Sequence, residues 1–126
     1  MNKSRVALAL ILLLIMGISS VVLAGVKSSA VIISANVTLS SSTKKAAFSM
    51  TTKVACNVLS VTSYSLYKSN GSVVTSGSIS STSSGMRYSK SVDFSGYITS
   101  GNSYYVTAVF NADGETKYAS SATVSY

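Results

Sequence analysis

Residues 96–115, GYITSGNSYYVTAVFNADGE, contain the feature that most limits how the chain can fold: a strand-like run with a turn signal at each end. Residues 100–102 precede the run, and residues 111–114 follow it. Alternate side chains are apolar or aromatic on both sides of the run, which is typical of a strand shielded on both faces. The pattern predicts a central β-strand with one buried face formed by Tyr104, Val106, Ala108 and Phe110.

Alternating apolar positions predict two further strands, one at residues 31–39 and a long one that begins at Phe48. The odd positions of the first strand are all apolar, and so are most even positions of the second as far as residue 58. Apolar Leu59 then reverses the parity, which predicts a β-bulge or a crossing at that point. The residues expected to share the buried faces are Val31, Ile33, Ala35, Val37, Leu39, Phe48, Met50, Val54, Cys56 and Val58.

The remaining residues predict shorter strands. Residues 62–68 form a third strand-like run, and the Asn-Gly pair at 70–71 is the strongest short signal for a β-hairpin. A short edge strand is expected next, and the serine-rich residues 76–85 are expected to be a loop or a poorly ordered edge. Strands are also expected at residues 86–94 and 116–126. About seven strands predict an all-β fold, a single antiparallel β-sandwich, with a small β-barrel as the alternative.

The N-terminus has the organisation of a secretory signal peptide. Two basic residues precede an uninterrupted apolar run at residues 6–16, and Val22 and Ala24 suit the −3 and −1 positions of a cleavage site. We predict a signal-peptide helix at residues 1–24 and one domain at residues 25–126. A retained anchor is the alternative, because the whole apolar segment approaches spanning length. Cleavage would make the protein secreted and extracellular, without a membrane attachment.

Residues 98–115 resemble the E–F corner and F strand of an immunoglobulin-like or fibronectin type III β-sandwich. Tyr104 matches the tyrosine-corner position, and the resemblance implies that its hydroxyl group bonds to the backbone upstream. Proline and tryptophan, which fibronectin domains use, are absent from the chain. A signal peptide followed by one such domain is also similar to small uncharacterised secreted proteins of Gram-positive bacteria. This similarity implies an architecture and no particular biochemical activity.

The composition argues against catalysis. The chain has no histidine and only three acidic residues, Asp93, Asp113 and Glu115. Nucleophilic catalysis needs a base, and an ordinary metal site needs several ligands, so we expect no enzyme, no cofactor and no metal. Two of the acids, Asp113 and Glu115, belong to a turn signal, where such side chains usually bind the backbone. Cys56 is the only cysteine, and we expect it to be a small buried structural residue.

The net charge suggests a class of partner. Removing Lys3 and Arg5 from the formal charge of +7 leaves +5 on the mature chain. This charge suits weak binding to an anionic cell-wall polymer, although solubility alone also explains it. No compact cationic cluster is visible apart from the pair Lys44-Lys45, so a nucleic-acid site is not expected. The cations that are candidates for such binding are Lys27, Lys44, Lys45, Lys53, Arg87 and Lys117.

Tyrosines suggest a second kind of binding. Tyr67, Tyr97 and Tyr105 are expected at outward or end positions, where they are candidates for stacking against carbohydrate, although tyrosine is also a favoured strand residue. We therefore predict a secreted, non-enzymatic module that acts by surface recognition at the cell envelope, through an anionic polymer or another protein. The alternative is a structural subunit that assembles through its edge strands. The sequence leaves the oligomeric state open.

Overall fold

The computed structural model describes residues 31–126, which form an all-β fold. Strands make up 69% of these residues, and no helix occurs among them. The predicted signal peptide, its cleavage after Ala24 and the candidate cation Lys27 lie outside the described residues. The strands are β1 (Ile32–Leu39), β2 (Lys45–Lys68), β3 (Val73–Gly77), β4 (Ser83–Asp93), β5 (Ser103–Ala112), β6 (Glu115–Ser120) and β7 (Val124–Ser125).

β2 organises the sheet, because it pairs with four other strands. Its first half, residues 45–56, pairs with β1 along one edge and with β4 along the other. Its second half, residues 57–68, pairs with β5 and with β3. β6 and β7 then pair with β5. All these pairings are antiparallel, and the sheet curls into a half-barrel.

β5 lies where a shielded strand was predicted, between β2 and β6. Its predicted buried face is confirmed, because Tyr104, Val106, Ala108 and Phe110 are each no more than 1% exposed. The turn that follows β5 has a left-handed backbone at Asp113 and Gly114, with φ angles of 48° and 95°. This two-residue turn sets the register of the β5–β6 hairpin, in which Ala112 pairs with Glu115.

The prediction for the first strand is wrong at Ile33. This side chain is 57% exposed, whereas Ile32 beside it is 7% exposed. Ile32 pairs with Thr52 and Ser34 pairs with Thr51, so β1 has one extra residue between two paired positions. This β-bulge reverses the parity of the strand and turns Ile33 outward.

The prediction for the second strand is wrong at two valines. Val54 is 54% exposed and Val58 is 42% exposed, although Cys56 between them is buried. The register of β2 against β4 shifts twice, between Thr51 and Cys56 and again between Cys56 and Leu59. The predicted irregularity near residue 58 is therefore confirmed, but a first shift of register lies earlier along the strand, between Thr51 and Cys56.

The structure joins one predicted pair of strands and divides another strand. The second and third predicted strands form continuous β2, whereas the run at residues 116–126 is divided into β6 and β7. Ser121 explains the division, because its side chain takes the place of a backbone acceptor. Its Oγ accepts a hydrogen bond from the Val106 N–H at 2.9 Å, and its own N–H donates to the Val106 carbonyl at 2.8 Å.

The hairpin predicted at Asn70 and Gly71 is confirmed. It joins β2 to β3, and Gly71 has a φ of 93°, which favours glycine. Asn70 Oδ1 accepts hydrogen bonds from the backbone N–H and the hydroxyl group of Ser72 at 2.9 and 2.8 Å. In the serine-rich segment that follows, only residues 78–82 lie outside strands, because β3 ends and β4 begins within it.

Tyr104 makes the contact that the resemblance implies for a tyrosine corner. Its buried hydroxyl group accepts a hydrogen bond from the backbone N–H of Thr99 at 3.1 Å and lies 3.2 Å from Thr99 Oγ1. Tyr88 offers a contrast in the same core, because its buried hydroxyl group makes no hydrogen bond of ordinary geometry and interacts only weakly with the Val61 backbone. The two tyrosines therefore differ in what their hydroxyl groups contribute to stability.

We expect Tyr104→Phe to lower the free energy of unfolding by about 1–1.5 kcal/mol, the net value of a typical hydrogen bond. Tyr88→Phe should cost less than Tyr104→Phe, because the Tyr88 hydroxyl group makes no hydrogen bond of ordinary geometry. Tyr105→Phe, at a half-buried outward position, should cost less than Tyr104→Phe. Urea denaturation of the three variants measures these differences, and equal losses for Tyr104 and Tyr88 would contradict the role of the corner.

Candidate functional site

Charged side chains are distributed unequally over the outer face of the sheet. Around the first half of β2 the outward pairs include Lys45 opposite Asp93 and Arg87 opposite Thr51. Around the second half, the outward pairs between β3, β2, β5 and β6 contain no charged side chain. We call this second region the uncharged face, and its main members are Ser65, Tyr67, Ser76, Tyr105, Thr107, Val109, Tyr118 and Ser120.

Two of the three tyrosines predicted to bind carbohydrate meet on the uncharged face. Tyr67 on β2 pairs directly with Tyr105 on β5, and their rings stack with centroids 5.0 Å apart and planes 11° apart. Both side chains are half-buried. Tyr97 lies in the turn after β4 and is 52% exposed, and among the described residues no ring contact joins it to the pair. The structure therefore separates Tyr97 from the other two candidates.

The candidate cations do not form a cluster. Lys44 and Lys45 lie at the beginning of β2, and Arg87 lies beside Thr51, six residues further along the strand. Six strand residues correspond to about 20 Å. Lys44 also has a backbone role, because its φ is 61° and its carbonyl accepts the Phe94 N–H at 2.9 Å. These cations therefore present separate charges rather than one site.

All three carboxylates of the chain bind backbone N–H groups. Asp113 accepts hydrogen bonds from the N–H groups of Asn57 and Val58 at 2.8–3.1 Å. Glu115 accepts the N–H groups of Val31 and Ile32 at 2.8 and 2.9 Å. The expectation that these two acids serve the backbone agrees with this geometry, and each holds a strand at a point where its pairing is irregular or begins.

Asp93 is the third carboxylate, and its Oδ1 accepts the Ser95 N–H at 2.8 Å. No group of three or more His, Cys, Asp or Glu residues is placed to hold a metal within residues 31–126. Cys56 is 4% exposed, and its thiol lies 3.5 Å from the Val54 carbonyl. Asp93 therefore binds the local backbone, and Cys56 is part of the core. Residues 31–126 also contain no helix of the length and hydropathy needed to cross a membrane.

The pKa of Asp93 is lowered below 3.8 by the backbone and side-chain hydrogen bonds of Ser95 and, to a smaller extent, by the charge of Lys45. A lowered pKa in the folded state stabilises the fold above the pKa of the unfolded chain, and this contribution disappears as the pH falls through the folded-state pKa. We expect Asp93→Asn to be slightly less stable at neutral pH and equal to the parent protein in strong acid. Urea denaturation across this range tests it, and a difference independent of pH would contradict it.

No protein-family model matches the chain, and no curated protein matches it significantly. Sequence reasoning missed Tyr118 and Thr107 as members of the uncharged face. The two-residue turn after β5 contained a usable signal, because it places Tyr118 opposite Val109, two residues from Thr107.

Proposed function

We propose that the chain forms a secreted, non-enzymatic immunoglobulin-like β-sandwich that acts by surface recognition at the cell envelope. Two groups of strands support the sandwich. One contains β1, the first half of β2 and β4, and the other contains β3, the second half of β2, β5, β6 and β7. The irregular segment of β2 between Thr51 and Leu59 is where one group passes into the other. The contact between Tyr104 and Thr99 also supports it.

The observation that carries the recognition proposal is that the acidic side chains bind the backbone, whereas several basic side chains extend into solvent. Every carboxylate holds backbone N–H groups, whereas the cations Lys45, Lys53, Arg87 and Lys117 have exposed side chains. A net positive surface attracts the anionic polymers of an envelope. Lys45 and Arg87 are about 20 Å apart along β2, more than the screening length of about 8 Å at physiological salt, so these two cations act separately and their attraction is weak.

Co-sedimentation with purified Gram-positive cell walls across a salt series tests this function. We expect retention at low salt that falls as salt rises, because exposed charges are screened. Arg87→Gln should reduce low-salt retention about two- to five-fold, the effect of removing one cation near an anionic surface. Lys90→Gln is the matched control on the same strand, because Lys90 is half-buried on the core side. Absence of retention at low salt would overturn the proposal.

The edge of β4 supports a second candidate function, assembly of a structural subunit. β4 has 11 residues and pairs with β2 along one edge, and no strand among residues 31–126 pairs with its other edge. An unpaired edge is a template for a strand of another chain. Light scattering after size-exclusion chromatography distinguishes the two functions. A mass that rises with protein concentration supports assembly, and a monomer at every concentration argues against it.

A further inference from the structure

We propose that the uncharged face binds a neutral polysaccharide chain, an inference that goes beyond the charge-based recognition proposed above and does not depend on it. The face combines aromatic rings with hydroxyl groups on adjacent strands, and each has a defined place in the register. Two aromatic positions lie on this face, with a row of hydroxyl groups between them.

The aromatic positions lie at two levels of the face. The stacked pair of Tyr67 and Tyr105 forms one level, and Tyr118 opposite Val109 forms the other. Tyr105 and Val109 are four residues apart on β5, which corresponds to about 13 Å. Tyr118 is 65% exposed, the largest exposure among the large hydrophobic side chains of the described residues. This spacing offers ring surfaces to more than one sugar unit of a chain.

A row of hydroxyl groups crosses the face between these levels, with Ser65, Ser76 and Ser120 at its accessible positions and Thr107, which is only 7% exposed, between them. Ser76 pairs with Ser65, Ser65 pairs with Thr107, and Thr107 pairs with Ser120, so the row runs over β3, β2, β5 and β6. Ser65 Oγ and Ser76 Oγ are 3.1 Å apart and already share a hydrogen bond. Hydroxyl groups both donate and accept hydrogen bonds, as sugar hydroxyl groups do. The row can therefore form hydrogen bonds with a polyhydroxylated ligand that carries no charge.

The absence of charge from the outward pairs of this face selects against ionic ligands. A charged group that leaves water needs a counter-charge, and the described pairs around Tyr67 and Tyr118 supply none. Binding sites for small polar ligands combine apolar rings with a few polar groups that fix orientation. Tyrosine rings and hydroxyl groups in adjacent rows fit a neutral sugar chain better than they fit an anionic polymer.

The test uses the full chain and three insoluble neutral polysaccharides, namely β-glucan, chitin and mannan. The salt concentration is about 1 M, at which screening shortens the range of charge attraction to about 3 Å. We expect retention on at least one of them. Tyr118→Ala should weaken retention about three- to ten-fold, the range for one aromatic contact. Tyr97→Ala is the control, because it makes the same change at an exposed tyrosine that is not on this face. Ser120→Ala should also weaken retention by removing an exposed hydroxyl group from the row.

The outcomes separate this inference from the proposed function. Loss of all retention at about 1 M salt, with wall retention at low salt intact, overturns the neutral ligand and leaves the charge-based recognition standing. Equal retention by Tyr118→Ala and the parent protein also overturns it. Retention on a neutral polysaccharide without any low-salt retention on walls would support this inference and overturn the charge-based proposal. Far-UV circular dichroism of each variant verifies folding, and a Tyr118→Ala variant that retains its spectrum makes a loss of binding attributable to the ring.

Discussion

Phe48→Ala is expected to lower the free energy of unfolding by about 3–5 kcal/mol, the usual cost of truncating a buried phenylalanine. Phe48 lies in the first half of β2 and is 0% exposed. Its ring centroid is 5.7 Å from that of Tyr64 in the second half of β2 and 6.4 Å from that of Phe110 on β5. Alanine would therefore leave a cavity where the two halves of β2 share one core.

Guanidinium denaturation followed by far-UV circular dichroism measures this loss. Phe48→Leu should cost much less, because it keeps most of the apolar volume. Ser49→Ala is the control, since Ser49 is the exposed neighbour on the same strand and its replacement should change stability by less than about 0.5 kcal/mol. A loss below about 1 kcal/mol for Phe48→Ala would mean that the cavity collapses or that the halves do not depend on a common core.

Local sequence was sufficient for β5 and for the hairpin at Asn70 and Gly71. One face of β5 is entirely apolar or aromatic and the other largely so, and turn residues bound the strand at each end, so its alternation predicts a shielded strand. The hairpin needs a positive φ, which Gly71 supplies. These elements were predictable because the forces that specify them act between residues close in the chain.

The irregular part of β2 was not predictable in the same way. Alternation places Val54 and Val58 with Cys56, yet both valines are exposed. The shifts of register depend on which strands pair with β2, and β4 and β5 come from distant parts of the chain. The Asn57 and Val58 N–H groups are held by Asp113, more than 50 residues away. A periodic pattern contains no information on such a contact.

The candidate surface was predictable only in part. Tyr67 and Tyr105 were chosen for their outward positions, but their stacking depends on the register between β2 and β5. Tyr97 met the same criterion and lies elsewhere, because residue type alone does not show whether a turn lies beside two paired strands. The hydroxyl row through Thr107 needs three pairings at once, and the sequence indicates the two hairpins, β2–β3 and β5–β6, but not the pairing of β2 with β5.

Asp113→Ala is expected to cost about 2–3 kcal/mol of stability, the largest effect that we predict for a surface residue. The carboxylate accepts the N–H groups of Asn57 and Val58, and hydrogen bonds to charged groups contribute about 1.5–3 kcal/mol. Alanine would also have to adopt the left-handed φ of 48°, which costs roughly 1–2 kcal/mol outside glycine, asparagine and aspartate. Water can replace part of the lost hydrogen bonding at this exposed site, so the two costs do not simply add.

Two matched variants separate these contributions. Asp113→Gly removes the carboxylate and relieves the backbone, whereas Asp113→Asn keeps an oxygen acceptor and the tolerance for a left-handed backbone while removing the charge. We therefore expect Asp113→Ala to lose the most stability, Asp113→Gly less and Asp113→Asn the least, measured by urea denaturation at neutral pH. If Asp113→Gly were as stable as the parent protein, the carboxylate would not hold β2, and the bulge would have to be maintained by the packing of Cys56 and Leu59 alone. The predicted order would instead show that a side chain in the β5–β6 turn holds β2 at the point where its pairing changes from β4 to β5.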